Sequence, residues 1–110
     1  MTRRAPAPIR RGQTLFADIP GVGRKPFVVV SNNSRNRALP SWIGARITSA
    51  PRPLITSIVP LAQGDPLRGS VICDDLFVIK REHIHHAAGA LSEGTMRRVD
   101  SGLKVALALS

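Results

Sequence analysis

Several clusters in this sequence carry side chains that could do chemistry. In His83-Ile84-His85-His86, His83 and His85 stand two residues apart, which puts both on one face of a strand. Paired imidazoles suit proton transfer near neutral pH. Asp74-Asp75 could hold a divalent metal for nuclease chemistry, but adjacent strand residues point to opposite faces and do not readily ligate together. Apart from Glu82, no carboxylate or cysteine stands beside the histidines to complete a metal set, so no metal or other cofactor is expected. Ser31-Asn32-Asn33-Ser34-Arg35-Asn36-Arg37 is the densest polar cluster. Its amides and guanidinium groups suit base edges and phosphates, and they equally suit an Asx-rich loop bonded to its own backbone. Arg46-Ile47-Thr48-Ser49 sets a cation and two hydroxyls at a strand end. Gly21-Val22-Gly23 lacks the Gly-Lys-Ser/Thr continuation and the βαβ setting of a phosphate-cradling loop, so it reads as a turn. The Arg24-Lys25 pair that leaves this turn and enters Pro26 matters more.

The charge balance indicates the kind of partner these groups would meet. Lys plus Arg is 16 against 7 for Asp plus Glu, a net charge of +9. Thirteen of the sixteen cations are Arg, which favours planar, bidentate contact with phosphates or carboxylates. The pI near 11.7 makes nucleic acid the first partner to consider. The aromatic residues are Phe16, Phe27, Trp42 and Phe77, mostly in apolar runs that read as core. Contact through charge and hydrogen bonds is therefore expected ahead of base stacking. The single Cys73 excludes an internal disulfide and a Cys-cluster zinc site, and reads as a small core residue. No apolar run approaches a membrane span. The opening Met1-Thr2-Arg3-Arg4-Ala5-Pro6 has no apolar stretch behind its arginines, so no export signal is read and a cytoplasmic location is expected.

At 110 residues the chain suits one domain with one core. Residues 1–9 alternate Ala, Pro and Arg and are expected to form a disordered basic arm, with a single domain over 10–110. Gln13 to Ile19 reads as a strand with Leu15, Ala17 and Ile19 on one face. Phe27 to Val30 is β-branched and apolar on both faces, the pattern of a central strand. Ser31 to Pro40 reads as a loop, Trp42 to Thr48 and Leu54 to Val59 as strands, and Ser70 to Ile79 as one or two more. Short strands at this spacing predict a mainly β fold, a small sandwich or barrel. Met96, Val99, Leu103, Ala106 and Leu107 then change the period to that of an amphipathic helix, with Ser92 as N-cap and Glu93 in its first turn. Gly102 inside this helix is expected to cost about 1 kcal/mol relative to Ala.

Taken in order, these segments resemble the MazF/PemK/Kid family of toxin endoribonucleases. Arg11-Gly12-Gln13-Thr14-Leu15-Phe16-Ala17-Asp18 is similar to that family's first strand, and Lys25-Pro26-Phe27-Val28-Val29-Val30-Ser31-Asn32-Asn33 with Asn36-Arg37 to its second strand and following loop. Ile47-Thr48-Ser49 resembles its third-strand end and Ser70-Val71-Ile72-Cys73-Asp74 a later strand. Gly89 to Ser92, Val99-Asp100 and Leu103 to Leu107 resemble its final helix. The resemblance implies an SH3-like small barrel with a C-terminal helix, usually a homodimer. It implies metal-independent, sequence-specific cleavage of single-stranded RNA, which inhibits translation and growth. It also implies a cognate antitoxin whose flexible C-terminal segment occupies the RNA groove. The family's catalytic cation and threonine carry over to Lys25 and Thr48. Arg24, Asn32, Asn33, Asn36, Arg37, Arg46 and Ser49 are the expected RNA contacts. The cation is more often Arg in the family, and its usual Gln and Arg after the Cys-Asp pair are Asp75 and Phe77 here.

Metal-free cleavage needs the substrate's 2′-hydroxyl to lose a proton and attack phosphorus in line, so the site must supply a proton acceptor, charge stabilisation on the phosphoryl oxygens and a proton donor for the leaving 5′-oxygen. Lys25 can supply the last two as an ammonium; acting as base would require it neutral, which a free lysine is not at pH 7. Thr48 can orient the phosphate, and Ser49 takes its place if the strand register slips by one. The alternatives are a non-enzymatic basic SH3-like RNA/DNA-binding module and a surface that docks an acidic peptide.

Overall fold

The computed structural model describes residues 8–110. The expected arm at 1–9 lies outside them except for Pro8 and Ile9. Ile9 is buried among core residues, so packing begins one residue ahead of the expected boundary. Strand β1 (Gln13–Ile19) turns at Pro20–Val22 and returns as β2 (Gly23–Val29), with Thr14 opposite Val28 and Ile19 opposite Gly23. Strand β3 (Ser41–Thr48) pairs on the other side of β2, Phe27 facing Arg46 and Val29 facing Gly44. Beyond β3 come β5 (Ser70–Lys80) and the short β4 (Ile58–Pro60), while β6 (Ile84–Ala90) pairs with β1 at the opposite edge. The resulting antiparallel order is β4-β5-β3-β2-β1-β6. Strands β4 and β6 are edges, so the sheet curls without closing, an open form of the expected small barrel.

Alternation along the strands gives the sheet two buried faces. The inner face holds Leu15, Ala17, Phe27, Val29, Trp42 and Ile79, joined by Ile9. Phe27 meets Trp42 and Phe77 edge-on, with ring centroids 6.2 and 5.2 Å apart. Each fully buried large side chain here stabilises the fold by about 1.5–3 kcal/mol. The outer face holds Val28, Ala45, Ile47, Val59, Val71 and Cys73, covered by Leu91 and by Val99 of helix α2 (Glu93–Ala106). Because β2 lies between β1 and β3 and between both cores, Phe27-Val28-Val29 is buried throughout.

Two segments differ from their sequence reading. The expected loop at Ser31 to Pro40 contains a short helix, α1 (Asn33–Ala38), capped by the Asn32 side chain, which accepts from the Arg35 N–H at 2.8 Å. Of the expected strand Leu54 to Val59 only the end pairs. Ile55 N–H donates to the Pro53 carbonyl and Ile58 N–H to that of Ile55, closing a turn that leaves Leu54 90% exposed. Ser70 to Lys80 is one continuous strand, interrupted where Leu76 faces Ala45 and Ile72 faces Arg46, so that Cys73, Asp74 and Asp75 form a bulge.

Helix α2 is placed by polar ties that the sequence pattern only partly signals. Ser92 caps it, accepting from the Thr95 N–H at 3.2 Å. Asp65 reaches the same end: it accepts from Ser92 N–H at 2.8 Å, Thr95 hydroxyl at 2.7 Å and Ala62 N–H at 2.7 Å. Burial opposes the charge of Asp65, but these three donors outweigh it and hold its carboxyl below the usual value of 3.8. Arg11 ties β1 to the other side of the helix through Asp100 at 2.5 Å and through the Val30 carbonyl at 3.0 Å. Gly102 is not simply a weak helix former. A Cβ there would lie 2.7 Å from Cys73 Sγ and 2.9 Å from the Thr56 carbonyl oxygen, so glycine lets the helix lie close on the sheet.

Gly102→Ala is therefore expected to destabilise by about 1–3 kcal/mol in urea denaturation, although Ala favours a helix. Asp65→Ala should cost about 1–3 kcal/mol at pH 7, the worth of hydrogen bonds to a charged group. Because folding lowers the Asp65 pKa, its contribution is complete above the unfolded value and is lost as pH falls through the folded one. The stability gap between wild type and Asp65→Ala should accordingly narrow in acid; a gap of equal size at neutral and acidic pH would contradict this.

Candidate active site

Register decides what surrounds Lys25. The β2–β3 pairing runs to Phe27 opposite Arg46. The paired residues end there, and Lys25 and Thr48 each stand two residues further along their own strands. Lys25 shares the face of Phe27, and Thr48 that of Arg46, so Lys25, Arg46 and Thr48 lie on the inner face at the end of the sheet beyond Phe27. Ser70 pairs with Thr48 and Ile72 with Arg46, extending this face across β5. Helix α2 packs on the opposite face, leaving this one without a helical cover.

Each group is held in a definite state. Lys25 is half-buried, and among the described residues its ammonium makes neither an ion pair nor a hydrogen bond. The Thr48 hydroxyl accepts from the Ala50 N–H at 3.2 Å, which orients it and leaves its own proton to donate. Gly69 brings β5 against this residue. It has φ +117°, and a Cβ there would lie 2.1 Å from the Thr48 carbonyl oxygen. Arg46 is half-buried, and its Nε is shielded from solvent without a hydrogen-bond partner among the described residues. Ser49 is exposed on the next residue, on the alternate face.

The other expected RNA contacts are not gathered here. Arg24 points to the opposite side of β2 from Lys25 and is engaged by Asp18, Nε to Oδ1 at 2.7 Å and a second contact at 3.3 Å. That bond holds the Asp18 carboxyl below its usual range and the Arg24 guanidinium above its own. Asn32, Asn33, Asn36 and Arg37 sit beyond the far end of β2, six residues or more past Lys25, about 20 Å of extended strand. Each has a hydrogen-bond partner within the fold. Asn32 caps α1, Asn33 Oδ1 accepts from the Arg11 N–H at 2.7 Å, and Arg37 meets Ser34. Asn36 is fully buried; its amide bonds the Ser31 hydroxyl and carbonyl, and its own carbonyl accepts from Arg81. The Asx reading therefore holds for Asn36, whose buried amide bonds Ser31 through both its oxygen and its nitrogen, whereas Asn32 and Asn33 are exposed and, among the described residues, engage only their side-chain oxygens.

The histidines lie across β1 from Lys25. His83 ends a 3₁₀ turn (Arg81–His83), and His85 and His86 stand on β6. His86 is exposed and its ring lies flat against Phe16, centroids 4.6 Å apart and planes 9° apart. Phe16 thus faces away from the inner core, and its pairing with His86 was missed from sequence. The available signal was alternation: with Leu15, Ala17 and Ile19 inward, Phe16 must point out. Among the described residues no group of three or more His, Cys, Asp or Glu is placed to hold a metal ion, and no helix is long and apolar enough to cross a membrane.

The basic, curled sheet thus presents two half-buried cations and an oriented hydroxyl at one end of its inner face, groups of the kind that stabilise charge on a phosphodiester. Residues 10–107 match the family described as PemK-like, MazF-like toxin of type II toxin–antitoxin system, and the chain belongs to that family. It is 34% identical over 103 residues to Endoribonuclease MazF1 of Mycobacterium bovis and to Endoribonuclease MazF4 of Mycobacterium tuberculosis, covering 94% of this chain and 95% of each relative. A solved mycobacterial endoribonuclease in complex with its cognate antitoxin is 33% identical, with a TM-score of 0.87 over 96% of this chain and 98% of that one. A MazE–MazF structure from Deinococcus radiodurans shares the fold at 18% identity, TM-score 0.81, covering 96% of this chain and all of that one.

Asn36→Ala should cost about 1–3 kcal/mol of stability, because it strands the buried Ser31 groups. RNA affinity of the folded variant should stay at the wild-type value in a filter-binding assay. A loss of affinity without a loss of stability would restore Asn36 to the RNA contacts.

Proposed function

We propose that this chain is an RNA-cleaving toxin of a toxin–antitoxin pair, and that Lys25, Arg46 and Thr48 form its catalytic group. The observation that carries the reading is the strand alternation that puts these three half-buried side chains on the inner face, at the end of the sheet beyond Phe27. Kinship with endoribonucleases along nearly the whole chain supports the activity. The substrate is single-stranded RNA. Its 2′-hydroxyl passes its proton to solvent water as the 2′-oxygen attacks the adjacent phosphorus, the P–O5′ bond breaks, and the products carry a 2′,3′-cyclic phosphate and a 5′-hydroxyl. Arg46 and Lys25 neutralise the charge that grows on the phosphoryl oxygens, and Arg46 Nε, without a partner among the described residues, gains an acceptor. Thr48 donates to a non-bridging oxygen from a hydroxyl already fixed by Ala50. Lys25 protonates the departing 5′-oxygen. These roles call for no metal.

The partner is a cognate antitoxin, as in the mycobacterial relative solved with its own. A flexible acidic segment would suit the same basic face by charge. The toxin acts in the cytoplasm, where translation presents single-stranded message. It assembles as a homodimer. Val105, Leu107 and Leu109, with Leu54 and Ile55, leave apolar surface exposed for an isologous contact. Light scattering at micromolar concentration is expected to give twice the monomer mass, and a monomer would contradict it.

Purified protein incubated with a long single-stranded RNA in excess EDTA should yield discrete fragments ending in cyclic phosphate. A salt-sensitive gel shift without fragments would instead make it the non-enzymatic binder. Lys25→Ala should slow cleavage by at least about 10²-fold, the usual loss on removing a general acid. Thr48→Ala should slow it by about 10–100-fold, the equivalent of 1–3 kcal/mol for an unpaired polar contact. Lys25→Arg should retain much of the rate, because it keeps the charge and the donors. If both alanine variants cleave at the wild-type rate, the catalytic assignment is wrong.

A further inference from the structure

We infer that Phe16 and His86, on the outer side of the sheet, form a nucleobase-stacking subsite that holds substrate RNA beyond the Lys25–Thr48 cleft. The inference rests on the RNA-cleaving reading and adds to it a second place where the strand is gripped. Pro26, Phe16 and His86 stand in one row across β2, β1 and β6, each opposite the next in register. The Phe16 and His86 rings are parallel and 4.6 Å apart, close to the spacing between neighbouring strands. Strand β6 ends the sheet, so no further strand continues the row past His86. His86 is exposed, and a third planar group can extend the stack from this edge.

The imidazole is held ready for that contact. His85 is the extra residue in an irregularity of the β1–β6 pairing, where Phe16 faces His86 and Ala17 faces Ile84. Its Nδ1 lies 2.7 Å from His86 Nδ1, with the two rings at 80° and their centroids 4.9 Å apart. A hydrogen bond to a ring nitrogen lies in the plane of that ring, so His85 meets His86 at its edge and fixes its rotation without covering the face turned away from Phe16. One row further along the ribbon stands the exposed Arg24–Asp18 pair. Arg24 Nε and one terminal nitrogen are engaged by Asp18, and its remaining donors are available to a phosphate.

Net charge selects the occupant. A chain of +9 favours a polyanion over another protein's aromatic side chain, and the planar groups of a polyanion that can stack are nucleobases. Lys25 lies between Arg24 and Pro26 in sequence yet on the other face of the ribbon, so an RNA strand reaches the Phe16–His86 row by rounding the Pro20–Val22 turn or the β6 edge. The subsite therefore grips nucleotides away from the cleaved bond. It affects long substrates and spares short ones.

The test uses RNA made uncleavable by 2′-O-methylation, in lengths of about 5 and about 20 nucleotides, with affinity read by fluorescence anisotropy at fixed salt. His86→Ala should weaken the longer RNA about tenfold, within the range found when a stacking ring is removed, and leave the shorter unchanged. His86→Phe, which restores a ring without the His85 bond, should recover most of the loss. The subsite is refuted if His86→Ala binds the long RNA normally, weakens both lengths alike, or is not rescued by His86→Phe, while wild type still cleaves RNA in EDTA. If wild type neither binds nor cleaves RNA, the functional reading itself fails and the subsite with it.

Discussion

A slip of one residue between β2 and its neighbours would exchange the two cores of this protein, and that constraint governs the rest. Phe27 and Val29 must face inward to Trp42 and Ile79, while Val28 must face outward to Ala45 and the helix side. Both faces are buried, so neither alternative register is tolerable. Lys25 inherits its direction from Phe27, and Thr48 inherits its own from Arg46. The same parity sends Arg24 and Phe16 to the other side. The placement of every charged group along the β1–β2 ribbon follows from the pattern of its apolar residues.

Much of this was legible because it is local. Alternation in Gln13 to Ile19, the fully apolar Phe27 to Val29 and the helix stripe with its Ser92 cap depend on neighbours within a few residues. What escaped depends on partners distant in sequence. Asp65 reads as a turn residue, yet it accepts from Ser92 and Thr95 at the start of α2. Gly102 reads as a helix defect until Cys73 and Thr56 are brought against it. Helix α1 is too short to persist on its own. It is held by Asn36 bonding back to Ser31 and by Arg81 from a turn 45 positions later. Phe16 finds His86 only when β6 returns to the edge of β1.

The candidate site divides along the same line. Lys25 and Thr48 came from resemblance to a family, and the register independently supports their grouping. Arg46 was expected as an RNA contact, and its unpartnered Nε on the same face makes it a member of the proposed catalytic group. The asparagine cluster shows why residue type alone is ambiguous. Amides suited to RNA bases are equally suited to capping a helix and closing a loop, and burial of Asn36 settles its own case. Basic residues are thus sorted by geometry: Arg11, Arg35 and Arg81 bind the fold together, while Lys25 and Arg46 at the end of the sheet beyond Phe27 make no ion pair among the described residues.

The central claim is that Lys25 and Thr48 act on one phosphodiester. A double-mutant cycle tests it directly, with single-turnover cleavage measured for Lys25→Ala, Thr48→Ala and the double variant on the same RNA in EDTA. Residues that serve one transition state are strongly non-additive, so the double variant should cleave no more slowly than Lys25→Ala alone. If the two losses multiply, the residues act at separate places and the register-based site is contradicted.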